Sequence, residues 1–403
     1  MRLLPFDYAI RNLGRSPRRL ALVTGGSTLV SLLVLGSVAF ARGLERSLAA
    51  TGLDTNALLI GSGSEESVER SELPASTADV LAASVDGLAV VAGITAVSPE
   101  IHVALPAVLA PRAGAATATA TDAAPALFRG IEPQAFLVHP QVRLVAGRWP
   151  APGADEIAAS PGAIARLGGD ASRGAGTGTD ARVGIGTQVE VAGTPFAVSG
   201  LFEAPGTAMH AEFWMRLDRL AQLTQRTTRS CVVAALGDAE LDDIDAFTAS
   251  RLDLESIAMR ESDYYARLGE FFAPIRLLVF ATAVLISTGG ALGGVNAMYA
   301  AFSSRVREVG TLQALGFSRA AIAVSLVIES TVACVAGSLL ACLLALAALD
   351  GVAIDFSMGS FGLAVDSTAI ASAIAAGALL GVLGAVPAIA RCLVLPIPAA
   401  LRG

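Results

Sequence analysis

The sequence contains no lysine, so all 28 basic residues of this 403-residue chain are arginines. A phosphate-binding loop of the form G-x-x-x-x-G-K-[ST] uses its lysine to reach the phosphates of a nucleotide, and these residues hold no such loop. The motifs G-x-S-x-G and H-E-x-x-H are also missing. We therefore predict no catalytic residues, and any ATP hydrolysis must come from a different polypeptide segment.

Charged residues are also scarce, at 16% of the chain, whereas hydrophobic residues make up 54% and the mean hydropathy is +0.63. This apolar content exceeds that of an average soluble protein, so lipid must cover part of the surface. The net charge of -7 provides no basic surface, which argues against a nucleic-acid partner.

Cysteines and histidines are few and well separated. The four cysteines, which we interpret as structural thiols, are Cys231, Cys334, Cys342 and Cys392. The three histidines are His102, His139 and His210. None has a second histidine or a cysteine at metal-ligand spacing, and His210 with Glu212 is best interpreted as a solvated surface pair. We therefore predict no disulfide framework and no bound metal.

Four long windows without charge stand out in the sequence. A helix needs about 20 apolar residues to cross the hydrocarbon of a membrane, and each window is long enough. The charge-free windows are 20–41, 277–304, 330–349 and 367–390. We predict membrane spans at residues 20–41, 273–302, 320–349 and 367–390. The first window follows a basic segment and ends with Ala39-Phe40-Ala41, which leaves a cleaved signal peptide as the alternative to a membrane anchor.

Arginines flank these windows unevenly, and basic residues are retained on the cytoplasmic side. Five precede the first span, three lie between the second and third, two follow the fourth, and the loop at 350–366 holds none. Both termini are therefore predicted to be cytoplasmic. The cytoplasmic parts would be the segment 1–19, the loop 303–319 and the tail 391–403, and the outer parts would be 42–272 and 350–366.

The outer segment between spans one and two is predicted to form a mixed α+β domain. Residues 183–201 alternate between apolar and polar and predict two strands joined by a turn at Gly193-Thr194-Pro195, and 217–224 predicts a short helix. Stretches 111–125 and 168–186 are rich in Ala, Gly and Thr and predict exposed loops. Helical periodicity over 255–272 predicts a stalk that continues into span two.

Two features of the spans suggest roles inside the membrane. Glu329 is an intramembrane carboxylate, which is expensive to bury, and it has either a structural role near the interface or a functional one. G-x-x-x-G spacings permit close approach of helices; they pair Gly289 with Gly293 and Gly290 with Gly294 in span two, and Gly377 with Gly381 in span four. We predict that the doubled set in span two packs within the bundle or against a second copy.

The cytoplasmic loop predicts a short amphipathic helix from Val306 to Leu315. Val309, Leu312 and Leu315 recur at a spacing close to one face of a helix. Such a face either docks into a groove on another protein or lies on the lipid surface, and composition alone favours neither.

Residues 305–319 read R-V-R-E-V-G-T-L-Q-A-L-G-F-S-R, which resembles the signature of the FtsX-like permease family, the MacB and LolC type of ABC transporter. Three other stretches resemble that family. They are Tyr8–Leu13 with Ser16–Arg19, Ala146–Arg148 with Gly153, Glu156 and Val198–Phe202, and the ending from Pro387 to Arg402. The Ala/Thr-rich stretch at 111–125 departs from the family pattern, as do Cys392 and Val394.

The resemblance implies a fold class and a set of partners. It implies a membrane protein with four transmembrane α-helices in a 1+3 arrangement and a large α+β extracytoplasmic domain, a MacB-like periplasmic core domain, between spans one and two. Such permeases dimerise with a second copy or a paralogue and engage a separate ABC ATPase, which binds the ATP and Mg, so no cofactor is expected here. The residues that would couple to the ATPase are Arg307, Glu308, Gly310, Thr311, Leu312, Leu315 and Gly316.

The leading hypothesis is therefore a non-catalytic permease subunit in the bacterial inner membrane. ATP hydrolysis by its partner would drive the outer domain to export or extract an amphiphilic cargo, a lipoprotein, lipid or peptide. The alternative is a signalling or scaffold subunit that activates an outer partner such as a cell-wall hydrolase. Membrane lipid and a periplasmic or outer-membrane protein are further expected contacts. A membrane-anchored enzyme is disfavoured, because the sequence shows no assembled set of nucleophile, base or metal ligands.

Overall fold

The computed structural model describes residues 17–110, 123–168, 184–303, 306–350, 352–356 and 359–394. Its α-helices, in chain order, are α1 (Pro17–Thr51), α2 (Thr77–Ser84), α3 (Ala135–Val138), α4 (Pro161–Arg166), α5 (Leu217–Thr224), α6 (Leu241–Ser250), α7 (Glu261–Phe271), α8 (Ala273–Ser303), α9 (Val306–Ala314), α10 (Arg319–Ala348) and α11 (Ser367–Val394).

The strands lie between these helices. They are β1 (Asn56–Gly61), β2 (Val90–Val91), β3 (Ile94–Thr95), β4 (Val97–Leu109), β5 (Ala124–Ile131), β6 (Arg143–Gly147), β7 (Glu156–Ala159), β8 (Gln188–Val191), β9 (Thr194–Glu203), β10 (Glu212–Arg216), β11 (Cys231–Ala235), β12 (Ser256–Arg260), β13 (Ala353–Phe356) and β14 (Gly359–Gly362).

Four helices are long and apolar enough to cross a membrane, as the sequence predicts. The qualifying stretches are Leu20–Thr51, Ala273–Asn296, Arg319–Ala348 and Ser367–Pro387. At about 1.5 Å per residue even the shortest, with 21 residues, is about 30 Å long, which matches the hydrocarbon thickness of a bilayer.

The chain divides into two compact units. The first comprises Met1–Gly43, Ala273–Val352 and Leu363–Gly403, and it holds most of the apolar helices. The second comprises Leu44–Phe272 and Ala353–Gly362, and it holds the large sheet. The short hairpin of β13 and β14, which follows α10, belongs to the second unit and packs against the 3-10 turn Ala208–Ala211.

In the first unit, α1, α10 and α11 pack through small residues and hydroxyl groups. The Ser27 hydroxyl donates to the Cys334 carbonyl at 2.7 Å, and Ser31 and Ser338 share a hydrogen bond of 2.9 Å. Each of these hydroxyls thus has a hydrogen-bond partner in an apolar environment, where an unpaired polar group is costly. At the end of α1, Arg42 forms an ion pair with Asp366, whose other oxygen caps the first turn of α11.

The second unit is built on one mixed sheet with the order β12-β1-β11-β4-β5-β10-β7-β9-β6, and β8 pairs with both β4 and β9. Strand β4 is 13 residues long and joins the two halves of the sheet, because residues 97–100 pair with β11 and residues 101–107 pair with β5. Separate apolar clusters lie in the two halves, around Leu59 and Val232 in one and around Phe128 and Phe213 in the other.

Several local predictions for the outer domain are tested by these elements. The helix at 217–224 is confirmed as α5. The predicted hairpin is confirmed as β8 and β9, but its turn is Ala192-Gly193, with φ values of 47° and 83°. A two-residue hairpin of this type needs positive φ at both central positions, which Pro195 cannot adopt, so the predicted turn was placed too late.

The predicted stalk over 255–272 is only partly helical. Residues 256–260 form β12, which pairs with β1, and the helix α7 begins at Glu261. Tertiary pairing with β1 overrides the local helical periodicity there. The predicted loops at 111–125 and 168–186 fall mostly on residues 111–122 and 169–183, which lie outside the described residues.

Candidate functional site

The cytoplasmic-loop prediction corresponds to α9, a nine-residue helix that ends one residue before the predicted Leu315. One face of α9 is covered by its own chain, because Val309 is buried and packs with Leu312 against Ile322 of α10. The other face is exposed and consists of Arg307, Glu308, Thr311, Ala314 and Leu315.

This division corrects the predicted apolar face. The apolar face of Val309, Leu312 and Leu315 was expected to contact either a partner protein or the lipid surface, whereas Val309 and Leu312 pack against α10. Leu315 is 69% exposed, and Leu312 is only partly buried. The exposed face of α9 is therefore a mixed one, with a cation, a carboxylate, a hydroxyl and one leucine.

The sequence Leu315-Gly316-Phe317-Ser318 ends α9 and leads into α10. Gly316 has a φ of +91°, and its N–H donates to the Gln313 carbonyl at 3.0 Å while the Phe317 N–H donates to the Leu312 carbonyl at 3.2 Å. These two bonds define a Schellman motif, in which the residue with positive φ is normally glycine. The Ser318 hydroxyl then accepts from the Ala321 N–H and caps α10. Gly316 and its neighbours thus fix the angle between α9 and α10.

The doubled glycine pairs of α8 make few close contacts within the described part of the chain. A Cβ on Gly290 would lie 2.7 Å from Val30 of α1, whereas one on Gly289, Gly293 or Gly294 would meet nothing within 4 Å. The close approaches belong to the single pair in α11, where a Cβ on Gly381 would lie 2.5 Å from the Cα of Thr331.

Glu329 lies in α10 and is buried, with 3% of its surface exposed. Burial of a carboxylate in an apolar bundle needs compensating contacts, and Glu329 does interact with other groups in the protein. Its role as a structural or a functional residue stays a prediction.

A second polar constellation lies in the outer domain, where β11, β4, β5 and β10 run side by side. It comprises Glu100 and His102 on β4, Arg129 on β5, Glu212 and Trp214 on β10, Cys231 on β11, His139 after α3, and Glu261 at the start of α7. We call this set the buried charge cluster. It occupies the point where the two halves of the sheet meet.

Arg129 holds the buried charge cluster together. Its Nε and Nη2 donate to the two carboxylate oxygens of Glu212 at 2.7 and 2.8 Å, and its Nη1 donates to Glu100 at 2.9 Å. His139 Nε2 lies 2.8 Å from the other oxygen of Glu100, and the Trp214 indole donates to Glu212 at 2.8 Å. Bidentate pairing of this kind suits a guanidinium and compensates for the loss of water.

The pKa shifts in the buried charge cluster follow from these contacts. Desolvation opposes ionisation of Glu100, but the charges of His139 and Arg129 hold its pKa well below its usual range. Desolvation likewise opposes ionisation of Glu212, and Arg129 nevertheless keeps its pKa low. For Glu261 desolvation dominates and raises the pKa, although the neighbouring His139 opposes the shift.

The buried charge cluster was missed from sequence, and the interpretation of His210 with Glu212 as a solvated surface pair was wrong. Glu212 is buried and binds Arg129, and His139 is also buried. The available signal was the position of single charges inside apolar strands, as in A-L-F-R-G-I and E-F-W-M, since Arg and Glu are rarely buried unless paired. Their partners come from distant strands and follow only from the sheet order.

Comparison with known proteins identifies the family. Residues 280–396 match the FtsX-like permease C-terminal family, and residues 20–248, more than half of the chain, match the MacB-like periplasmic core domain family. The chain therefore belongs to the family of FtsX-like ABC transporter permeases with a MacB-like periplasmic core domain.

Among individual proteins, the macrolide export ATP-binding/permease proteins MacB of Shewanella sp. (strain W3-18-1), Shewanella sp. (strain ANA-3) and Shewanella oneidensis are 36% identical over 117 residues, 29% of this chain and 18% of each relative. The match thus spans about a fifth of the length of these relatives. The crystal structure of the periplasmic region of MacB from Actinobacillus actinomycetemcomitans aligns with 55% of this chain and 94% of its own, with 14% identity and a TM-score of 0.38. The extracellular domain of the noncanonic ABC-type transporter YknZ from Gram-positive bacteria aligns with 51% of this chain and 99% of its own, with 14% identity and a TM-score of 0.35.

Proposed function

We propose that this chain is the membrane subunit of an ABC transporter in the bacterial inner membrane, with both termini in the cytoplasm. A separate ATPase subunit binds ATP and Mg and docks on the exposed face of α9. Hydrolysis drives a movement of the outer domain, and a dimer of two permeases, identical or paralogous, exports or extracts an amphiphilic cargo such as a lipoprotein, lipid or peptide.

The observation that carries the proposal is the two-sided character of α9. Its inner face is attached to α10 through Val309, Leu312 and the Schellman motif, so a force on α9 is transmitted directly to a long apolar helix. Its outer face presents Arg307, Glu308 and an exposed Leu315, which are residue types that serve as contacts at protein interfaces.

The absence of a P-loop in the 403 residues supports a partner that supplies ATP hydrolysis. A rigid outer domain also supports the proposal, because a domain that transmits movement must keep its shape. The buried charge cluster joins both halves of the large sheet through charge-assisted hydrogen bonds, which favours motion as one body. The cargo class follows from the family alone.

The test is a Leu315→Asp variant of the full chain, purified from membranes of its own host together with bound proteins. We expect the wild type to co-purify with a nucleotide-binding ATPase, and Leu315→Asp to lose about tenfold of that association, because an aspartate at an apolar contact is desolvated without a partner. ATPase activity of the purified complex in lipid should fall in parallel.

Leu252→Asp is the matched control, because Leu252 is 80% exposed and lies in the outer domain. It should leave both measurements unchanged. A wild-type complex without any ATP-binding subunit would contradict the proposal, as would Leu315→Asp with unchanged association and ATPase activity.

A further inference from the structure

Three potential metal ligands converge on one face of the sheet in the outer domain. Glu100 and His102 are two residues apart on β4, so their side chains point to the same face. Cys231 on β11 is paired with Glu100 in the antiparallel register, which places its side chain on that face as well. Sequence spacing does not reveal this set, because Cys231 is 129 residues from His102.

The distances among the three ligand atoms are close to those of a tetrahedral metal site. His102 Nε2 lies 2.9 Å from Glu100 Oε2 and 3.8 Å from Cys231 Sγ, and all three atoms lie within 4.8 Å of one another. Zinc bonds of about 2.0–2.3 Å to N, O and S separate a nitrogen from an oxygen by about 3.4 Å and from a sulfur by about 3.6 Å. The Glu100–His102 pair must open by about half an ångström, whereas the His102–Cys231 distance already fits.

The surroundings of the three ligands provide space for a water molecule and compensate the charge of Arg129. A cavity of about 50 Å³, lined in part by His102, Arg129 and Glu212, adjoins the site at His102 and has room for a water molecule. Arg129 also donates to Glu100, but its Nε and Nη2 stay on Glu212, so its charge is already compensated. Metal bound between Glu100 and His102 replaces the hydrogen bond between them.

We propose that Glu100, His102 and Cys231 bind one divalent transition-metal ion, with zinc the best match to a mixed oxygen, nitrogen and sulfur set. The ion would fasten β11 to β4, where the two halves of the outer domain meet. Burial raises the pKa of the Cys231 thiol well above its usual range, so binding must displace its proton to solvent as the metal–thiolate bond forms.

The test uses Co²⁺ as a spectroscopic probe on the full chain in detergent, with Cys334, Cys342 and Cys392 replaced by alanine so that Cys231 is the only thiol. We expect one equivalent of Co²⁺ to produce a thiolate-to-cobalt charge-transfer band together with visible bands of tetrahedral cobalt, and Zn²⁺ to displace it. Cys231→Ser should abolish the charge-transfer band, and His102→Gln should weaken Co²⁺ binding by tenfold or more.

Thermal unfolding of the same variants without metal checks that Cys231→Ser and His102→Gln still fold. The proposal is overturned if saturating Co²⁺ gives no charge-transfer band in a folded protein, or if the band persists in Cys231→Ser. Association with an ATPase is not part of this readout, so its outcome is independent of the proposed transport function.

Discussion

Arg129 and Arg148 make the same kind of contact in opposite environments. Arg129 binds Glu212 with two hydrogen bonds and is 2% exposed, whereas Arg148 binds Glu156 with two hydrogen bonds at the surface. Removing one partner of a buried pair leaves a desolvated charge, but water replaces the partner of an exposed one. The two arginines thus form a matched pair of test sites.

Arg129→Met should destabilise the outer domain by about 3–5 kcal/mol, because Glu212 and Glu100 would lose a buried cation. Arg129→Lys should also be costly, since an ammonium cannot bind two oxygens in one plane. Thermal unfolding of the full chain, followed by the fluorescence of Trp149 and Trp214, measures the effect. Arg148→Met serves as the control and should not change the melting temperature; equal melting for both methionine variants would contradict a structural role of the buried charge cluster.

Glu261 ties the start of α7 to the residues that follow α1. One of its oxygens accepts from the Leu53 N–H at 3.1 Å and from the Asn56 amide at 2.8 Å. Glu261→Ala would leave these buried donors unpaired and should cost about 2–4 kcal/mol. Glu261→Gln keeps an acceptor oxygen and should cost much less, which thermal unfolding at neutral pH measures.

The raised pKa of Glu261 predicts that the stability of the fold depends on pH. Desolvation raises the pKa of Glu261 above its ordinary value of 4.5, so the ionised form is less stable in the fold than in the unfolded chain. The stability it contributes is therefore present below pH 4.5 and is lost as the pH rises through the folded pKa. Glu261→Gln should remove this loss, and an identical pH profile for the wild type and Glu261→Gln would show that Glu261 does not titrate as described.

At the scale of elements, helix α9 depends on its C-terminal glycine. An alanine at Gly316 must adopt a φ of +91°, which costs about 1 kcal/mol for a residue with a Cβ. Gly316→Ala should therefore speed amide hydrogen exchange in residues 306–317 by about fivefold. Gly293→Ala in α8 is the control, because its Cβ meets nothing within 4 Å; a similar change in both variants would argue against the Schellman motif.

Elements with a strong local signal were predictable. The four apolar helices were predictable because each apolar window is long enough to cross a bilayer. Helix α5 and the hairpin of β8 and β9 were predictable from the periodicity of apolar residues. Local signals failed where contacts with distant segments determine the secondary structure. Residues 256–260 are an example, since they pair with β1 despite their helical pattern. For α9 they predicted an apolar face, but the packing of Val309 and Leu312 against α10 depends on the tertiary structure.

At the scale of the whole molecule, the family and the general layout were accessible from sequence because they rest on motifs and on long apolar runs. The buried charge cluster was not accessible, because β4 and β5 are flanked in the sheet by β11 and β10, which come from distant parts of the chain. The prediction that the doubled glycine set in span two packs within the bundle or against a second copy stays a prediction, and a Cβ on Gly290 would lie 2.7 Å from Val30. G-x-x-x-G spacing marks helices that are able to approach closely, but only three-dimensional neighbours decide that Gly381 is crowded and Gly293 is not.

The central proposal is that an ATPase docks on the outward face of α9. Its most direct test is a photo-crosslinking amino acid placed in living cells at position 315, which is exposed, or at position 312, which packs against α10. We expect position 315 to capture a nucleotide-binding subunit and position 312 to capture none. Labelling of a Leu315→Cys variant, with the four native cysteines replaced, by a membrane-impermeant thiol reagent added outside the cell would contradict the proposed docking face, as would the absence of a crosslink from position 315 to an ATPase.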